Sequence, residues 1–101
     1  MIARIWRGET PAAKGDKYLE YLQQTGLKDY RAIDGNRGVY VLRQDTDDRT
    51  TFLLLSLWES VEAMKGFAGP DYLRATYYPE DDDYLLKRTA EVELYSVEEL
   101  D

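Results

Sequence analysis

Phe52-Leu53-Leu54-Leu55-Ser56-Leu57-Trp58 has the pattern of a β-strand that is apolar on both faces. Successive side chains of a strand point to opposite faces of the sheet. One face carries Phe52, Leu54 and Trp58, and the other carries Leu53, Leu55 and Leu57. A sheet with one face in water alternates apolar and polar residues. We therefore expect both faces of this strand to be covered.

The segments before this strand predict a strand, a helix and a second strand. In residues 2–7, Ile2, Arg4 and Trp6 share one face, and Gly8 is expected to end the strand. Thr10-Pro11 has the composition of a helix start, since threonine can cap and proline fits the first helical position. The helix is predicted to run to about Gln24, and Gly35-Asn36 precedes a strand over 37–43.

The segments that follow predict a hairpin, a second helix and extended chain. Residues 45–48 form a polar turn into a strand over 50–58. Ser60 can cap a helix that Gly69-Pro70 ends. Residues 84–86 and 91–97 are predicted to be extended. The order β-α-β-β-α-β is that of the ferredoxin-like α+β fold, a four-stranded antiparallel sheet with helices on one face.

Two helices cover only one face of such a sheet, so the apolar second face needs another partner. A second copy of the chain is the simplest one, which predicts a homodimer that forms a dimeric α/β barrel through the sheet face. We expect residues 1–97 to form a single domain and residues 98–101 a polar tail.

The composition excludes several classes of function. The net charge of −7 argues against nucleic acid or an anionic membrane as a partner, because both are polyanions. No apolar run approaches the length of a membrane span, and no signal peptide is evident. The chain has no cysteine and no histidine, so we expect a cytoplasmic protein without a metal site, whose chemistry relies on carboxylates, tyrosine, arginine, tryptophan or the substrate itself.

Several segments resemble the antibiotic biosynthesis monooxygenase-like family. They are Met1-Ile2-Ala3-Arg4-Ile5-Trp6, Gly35-Asn36-Arg37-Gly38 with Val39-Tyr40-Val41-Leu42-Arg43, Leu57-Trp58-Glu59-Ser60, Phe67-Ala68-Gly69 and Tyr77-Tyr78-Pro79-Glu80-Asp81-Asp82. The resemblance implies a dimeric α/β barrel with a pocket between sheet and helices in each subunit. Some members oxidise phenols or anthrones with O₂ and no cofactor, and others degrade haem.

The resemblance also implies which residues line the pocket. Trp58 matches a pocket-wall tryptophan and is, with Tyr72 and Arg74, a predicted catalytic residue. The predicted ligand-pocket residues are Trp6, Arg4, Asn36, Tyr77 and Tyr78. A plain alternative exists for each type: tryptophan as core, strand arginine as an ion-pair partner, and asparagine after glycine as a turn residue. The acidic loop 80–83 is expected to be solvated rather than a cation site.

The chain departs from the family pattern at the histidines. Relatives carry one near the end of the first strand and another in the last strand, where this chain has Arg7 and Leu94. The haem-degrading members also need a histidine near the second helix, so we expect no haem and no other cofactor. The leading hypothesis is a cofactor-independent monooxygenase for a phenolic or polycyclic aromatic molecule. The alternatives are a non-catalytic small-molecule-binding or stress-associated dimer, and a structural dimerisation module.

Overall fold

Three long antiparallel strands form the centre of the computed structural model. They are β1 (Ile2–Pro11), β2 (Asn36–Asp45) and β3 (Arg49–Trp58). The central strand is β3, which pairs with β1 on one side and with β2 on the other. The structure describes residues 1–25, 32–71, 73, 75, 81, 84–89 and 91–100.

Two short strands share the remaining position, beside β1. Lys87–Arg88 (β4) pairs with Gly8 and Glu9, and Glu93–Ser96 (β5) pairs with Ile2 through Ile5. Both are antiparallel to β1 and pair with different stretches of the same strand. The sheet is therefore four strands wide, and its fourth strand is interrupted. This confirms the predicted four-stranded antiparallel sheet.

The helices follow β1 and β3, as the predicted order requires. A 3₁₀ turn (Ala12–Lys14) leads into α1 (Gly15–Gln24), and α2 spans Val61–Ala68. Ser60 caps α2 as predicted, since its Oγ accepts a hydrogen bond from the Ala63 amide at 3.2 Å. Gly69 ends α2 with a φ of +77°, a conformation that glycine adopts without strain.

The predicted boundary between β1 and the first helix was wrong. Gly8 does not end β1, which stays paired with β3 as far as Pro11. Glycine is needed there because a Cβ atom would lie 2.3 Å from Cη2 of Trp6. Thr10 is a fully buried strand residue whose hydroxyl donates to the Pro11 carbonyl, so it does not cap the helix.

The extended segment predicted at residues 84–86 was also wrong. The Tyr84 and Leu85 amides both donate to the Asp81 carbonyl, so the chain turns here. Pairing with β1 begins when the Leu86 amide reaches the Glu9 carbonyl at 2.7 Å. The sequence signal failed because the triplet Tyr84-Leu85-Leu86 suits a partly buried turn as well as a strand.

The two faces of the sheet differ in how deeply their side chains are buried. On the helix face, Phe52 and Trp58 of β3 and Met64 of α2 are fully buried. On the opposite face, which we call the open face, Leu53, Leu55 and Leu57 are only partly buried. The alternation predicted for β3 is therefore confirmed.

Among the described residues, no helix is long and apolar enough to cross a membrane.

Candidate functional site

The candidate site lies on the helix face, where the inner side chains of β1 and β3 meet. In the register, Ile2 stands opposite Trp58, Arg4 opposite Ser56, and Trp6 opposite Leu54. All of these side chains except Ile2 are less than a tenth exposed. The fold therefore brings the predicted residues Arg4, Trp6 and Trp58 to one sheet face.

Ser56 fixes the indole of Trp58. The Trp58 Nε1–H donates to Ser56 Oγ at 2.9 Å, and Ser56 Oγ donates to the Arg4 carbonyl at 3.4 Å. A buried indole N–H needs such an acceptor, because burying it unpaired would cost free energy. Trp58 is thus held in one orientation against β1.

Arg4 is an unusual residue for this position. It is only 1% exposed, although it lies in a layer made mostly of apolar side chains. Charged side chains are almost never fully buried unless they are paired. Its burial places a cation within the same layer as the two tryptophans.

An aromatic group extends the helix face from Trp6 toward α1. Tyr18 is its hub, with ring centroids 5.2 Å from Phe52, 5.5 Å from Tyr84 and 6.5 Å from Trp6. Tyr18 is 1% exposed, and Tyr21 and Tyr84 stack on each other at 5.3 Å. These spacings are typical of favourable aromatic pairs.

Sequence reasoning missed this tyrosine group. The buried residues of α1 are Gly15, Tyr18 and Leu22, which follow one another at spacings of three and four residues. The spacing of three and four residues was therefore available as a signal. Tyr84 was placed in a strand, so its position opposite α1 was not anticipated.

Asn36 lies at the same end of the site, opposite Trp58. Its Nδ2 donates to the Leu57 carbonyl at 3.4 Å, and its Oδ1 accepts from the Gly38 amide at 3.2 Å. Both ends of the amide thus hold the irregular pairing between β2 and β3. Its predicted role as a ligand-pocket residue stays a prediction.

The remaining predicted site residues lie outside the described residues. They are Tyr72, Arg74, Tyr77 and Tyr78, and most of the acidic loop 80–83 lies there as well. Of that loop, Asp81 is described and is only 4% exposed, so the prediction of a solvated loop was wrong at this residue. In the described part of the chain, no group of three acidic, histidine or cysteine side chains is placed to hold a metal ion.

The resemblance to the family implies histidine at two positions, here Arg7 and Leu94, and these lie on opposite faces of the sheet. Leu94 packs against the helix-face core. Arg7 lies on the open face, where its Nε donates to Glu93 at 2.7 Å. The Tyr95 hydroxyl donates to the other Glu93 oxygen at 2.5 Å, and these two bonds lower the pKa of the Glu93 carboxyl. Glu93 therefore stays ionised beside Arg7.

The open face also carries a shallow depression of 210 Å³. It is lined by apolar and polar residues of β1, β2 and β3, namely Arg7, Leu42, Arg43, Gln44, Thr51 and Leu53. Tyr40 and Leu42 beside it are about half exposed. Among the described residues, the open face thus combines apolar side chains with two ion pairs, Arg7–Glu93 and Arg49–Glu9, and a few polar groups.

Comparison with known proteins identifies the family. The family described as antibiotic biosynthesis monooxygenase matches residues 1–77. The chain belongs to this family. A crystal structure from Bacillus cereus, provisionally named an antibiotic biosynthesis monooxygenase, superposes with a TM-score of 0.68 at 14% identity, covering 99% of this chain and 95% of that one. That likeness shows the shared fold. No curated protein matches the sequence.

Proposed function

We propose that this chain is a cofactor-independent monooxygenase that acts on a phenolic or polycyclic aromatic molecule. The observation that carries the proposal is the burial of Arg4 on the sheet face that also holds Trp6 and Trp58. Flat rings stack well on indoles, and a guanidinium in a water-poor site stabilises developing negative charge. Membership of the family supports a small-molecule role for this face.

The chemistry requires little from the protein beyond this environment. The substrate loses a proton to solvent and becomes an electron-rich anion, which gives an electron to O₂. Recombination forms a C–O bond, and loss of the second oxygen atom as water leaves a quinone. For an anthrone, one CH₂ group and one O₂ give one carbonyl group and one water. Arg4 favours the anion, and the tryptophans hold its rings.

Oxygen uptake by the purified protein tests this proposal. Anthrones and naphthohydroquinones are supplied without added cofactor, and native protein is compared with Arg4→Met, Arg4→Lys and Trp58→Phe. We expect uptake above the uncatalysed rate, a large loss in Arg4→Met, a partial loss in Arg4→Lys and a loss in Trp58→Phe. Arg49→Met is the matched control, because Arg49 lies at the far end of β3 and is 40% exposed.

Uptake that is the same in Arg4→Met and Arg49→Met would refute the role of Arg4.

A non-catalytic binding protein is the second candidate function. It is favoured by the full burial of Trp58, whose N–H is already satisfied by Ser56, and by the lack of histidine. For that function we expect quenching of tryptophan fluorescence by the same compounds with no oxygen uptake.

The proposal includes a homodimer formed through the open face. The support is the row of partly exposed leucines on β3 together with half-exposed Tyr40 and Leu42 on β2. A second copy would cover this apolar area and raise the buried fraction of a small domain. Sedimentation equilibrium tests it, and a monomer at all concentrations would contradict it. Location in the cytoplasm stays a prediction.

A further inference from the structure

A path of oxidisable rings runs from the core to the surface of the helix face. It begins at Trp6, which is 5% exposed, and continues to Tyr18 at a centroid distance of 6.5 Å. From Tyr18 it reaches Tyr84 at 5.5 Å and Tyr21 at 5.9 Å. Tyr21 and Tyr84 are half-buried, so the path ends at solvent.

The chemistry of these side chains exceeds what packing requires. Phenylalanine would fill the same space at Tyr18, as Phe52 does beside it at a centroid distance of 5.2 Å. Instead, every ring of the path is indole or phenol, the two side-chain rings that give up one electron most readily. Electron transfer between rings slows steeply with distance, and these rings are close to contact.

We propose that this path carries oxidising equivalents from Trp6 through Tyr18 to the Tyr21–Tyr84 pair at the surface. Such a path would protect buried groups, among them Met64, from one-electron oxidation inside the core. The proposal goes beyond the monooxygenase function and does not depend on it. Any one-electron oxidant that reaches Trp6 would start the transfer.

The electron transfer begins when an external one-electron acceptor oxidises Trp6. Trp6 loses one electron to the acceptor and becomes a radical cation. Tyr84 or Tyr21 supplies an electron to Trp6 through Tyr18, which ends unchanged, and the donor releases its hydroxyl proton to water. The resulting tyrosyl radical is restored by an electron and a proton from a soluble reductant such as ascorbate.

Laser photolysis can test the path because the chain has only two tryptophans. In a Trp58→Phe background, a pulse at the red edge of tryptophan absorption ejects an electron from Trp6 alone. A cobalt(III) ammine complex takes up that electron, and transient absorption follows the tryptophan and tyrosyl radicals. We expect the Trp6 radical to decay as a tyrosyl radical grows, at a rate independent of protein concentration.

Adding Tyr18→Phe to this background should remove the tyrosyl growth. The lifetime of the Trp6 radical should then rise to that of N-acetyltryptophanamide in the same buffer. Adding Tyr21→Phe and Tyr84→Phe together should also remove most of the tyrosyl signal. Tyr40→Phe is the matched control, since Tyr40 lies on the open face and is 53% exposed.

Identical traces with and without Tyr18→Phe would overturn the proposal, as would an equal loss in Tyr40→Phe. Circular dichroism checks that each variant is folded. If Trp58→Phe does not fold, the measurement is made with both tryptophans present. Tyr18→Phe should then remove the part of the tyrosyl signal that arises from Trp6, and an unchanged signal would again refute the path.

Discussion

The helix face and the open face belong to one sheet, yet only the helix face is complete within a single chain. Neighbouring residues of β3 show the difference, since Phe52 is fully buried while Leu53 is only partly buried. Apolar composition does not explain it, because both faces of β3 carry three large apolar side chains, Phe52, Leu54 and Trp58 on one and Leu53, Leu55 and Leu57 on the other. The difference lies in what covers each face, because α1 and α2 pack on the helix face, whereas Leu53, Leu55 and Leu57 of the open face stay partly exposed in the described part of the chain.

The strongest test of this comparison is a pair of truncations at adjacent positions. Phe52→Ala should lower the free energy of unfolding by about 3–5 kcal/mol, because it leaves a cavity in a closed core. Leu53→Ala should cost much less within one chain, because its side chain is already partly solvated. Urea unfolding of both variants at low protein concentration measures the difference.

Equal losses at low concentration would contradict the contrast between the faces. At high concentration the Leu53→Ala deficit should grow, since dissociation of the proposed dimer then contributes to unfolding.

A charge on the open face is expected to have the next largest effect. Leu55→Asp places a carboxylate in the centre of the proposed interface, opposite Ile5 and Tyr40. An uncompensated buried charge is costly, so the variant should be monomeric while it remains folded. Sedimentation equilibrium and circular dichroism measure the two properties separately. A Leu55→Asp protein that sediments like the native chain would show that this face does not mediate association.

Sequence reasoning succeeded where a pattern had one structural solution. The alternation in β3 and the Ser60 cap each correspond to a single geometry, and both were predicted correctly. Gly8 was misread because glycine suits both a strand end and a close contact, and only the position of the Trp6 ring decides between them. Tyr18 was missed for a related reason, because its neighbours Trp6, Phe52 and Tyr84 come from three distant segments.

Loss of the α2 cap tests how firmly the helix layer covers the sheet. Ser60→Ala removes the bond from the Ala63 amide and should lower the free energy of unfolding by about 1 kcal/mol. Ser60→Asp is the control, since aspartate also caps and suits a helix N-terminus. Thermal unfolding of both variants gives the comparison. A loss in Ser60→Asp equal to that in Ser60→Ala would show that the cap does not stabilise α2.

The smallest expected effect concerns the polar contact that holds α1 to the hairpin. Arg43 bridges Asp16 of α1, at 2.9 Å, and Asp45 of β2, at 3.1 Å. The pKa of Asp45 is lowered by the hydrogen bond from Thr50 and by the bond from Arg43. A carboxyl with a lowered folded-state pKa stabilises the fold above its unfolded pKa of about 3.9, and this contribution is lost as pH falls through the folded-state value.

Asp45→Asn should therefore be slightly less stable than the native chain at neutral pH. The difference should shrink as the pH falls below about 4 and should vanish below the lowered folded-state pKa of Asp45, where the native carboxyl is protonated as well. Urea unfolding across this range measures it, and added salt should also reduce it, because the ion pair is exposed to solvent. A difference that grows on acidification would mean that Asp45 stabilises the fold through its neutral form rather than through its charged bonds with Arg43 and Thr50.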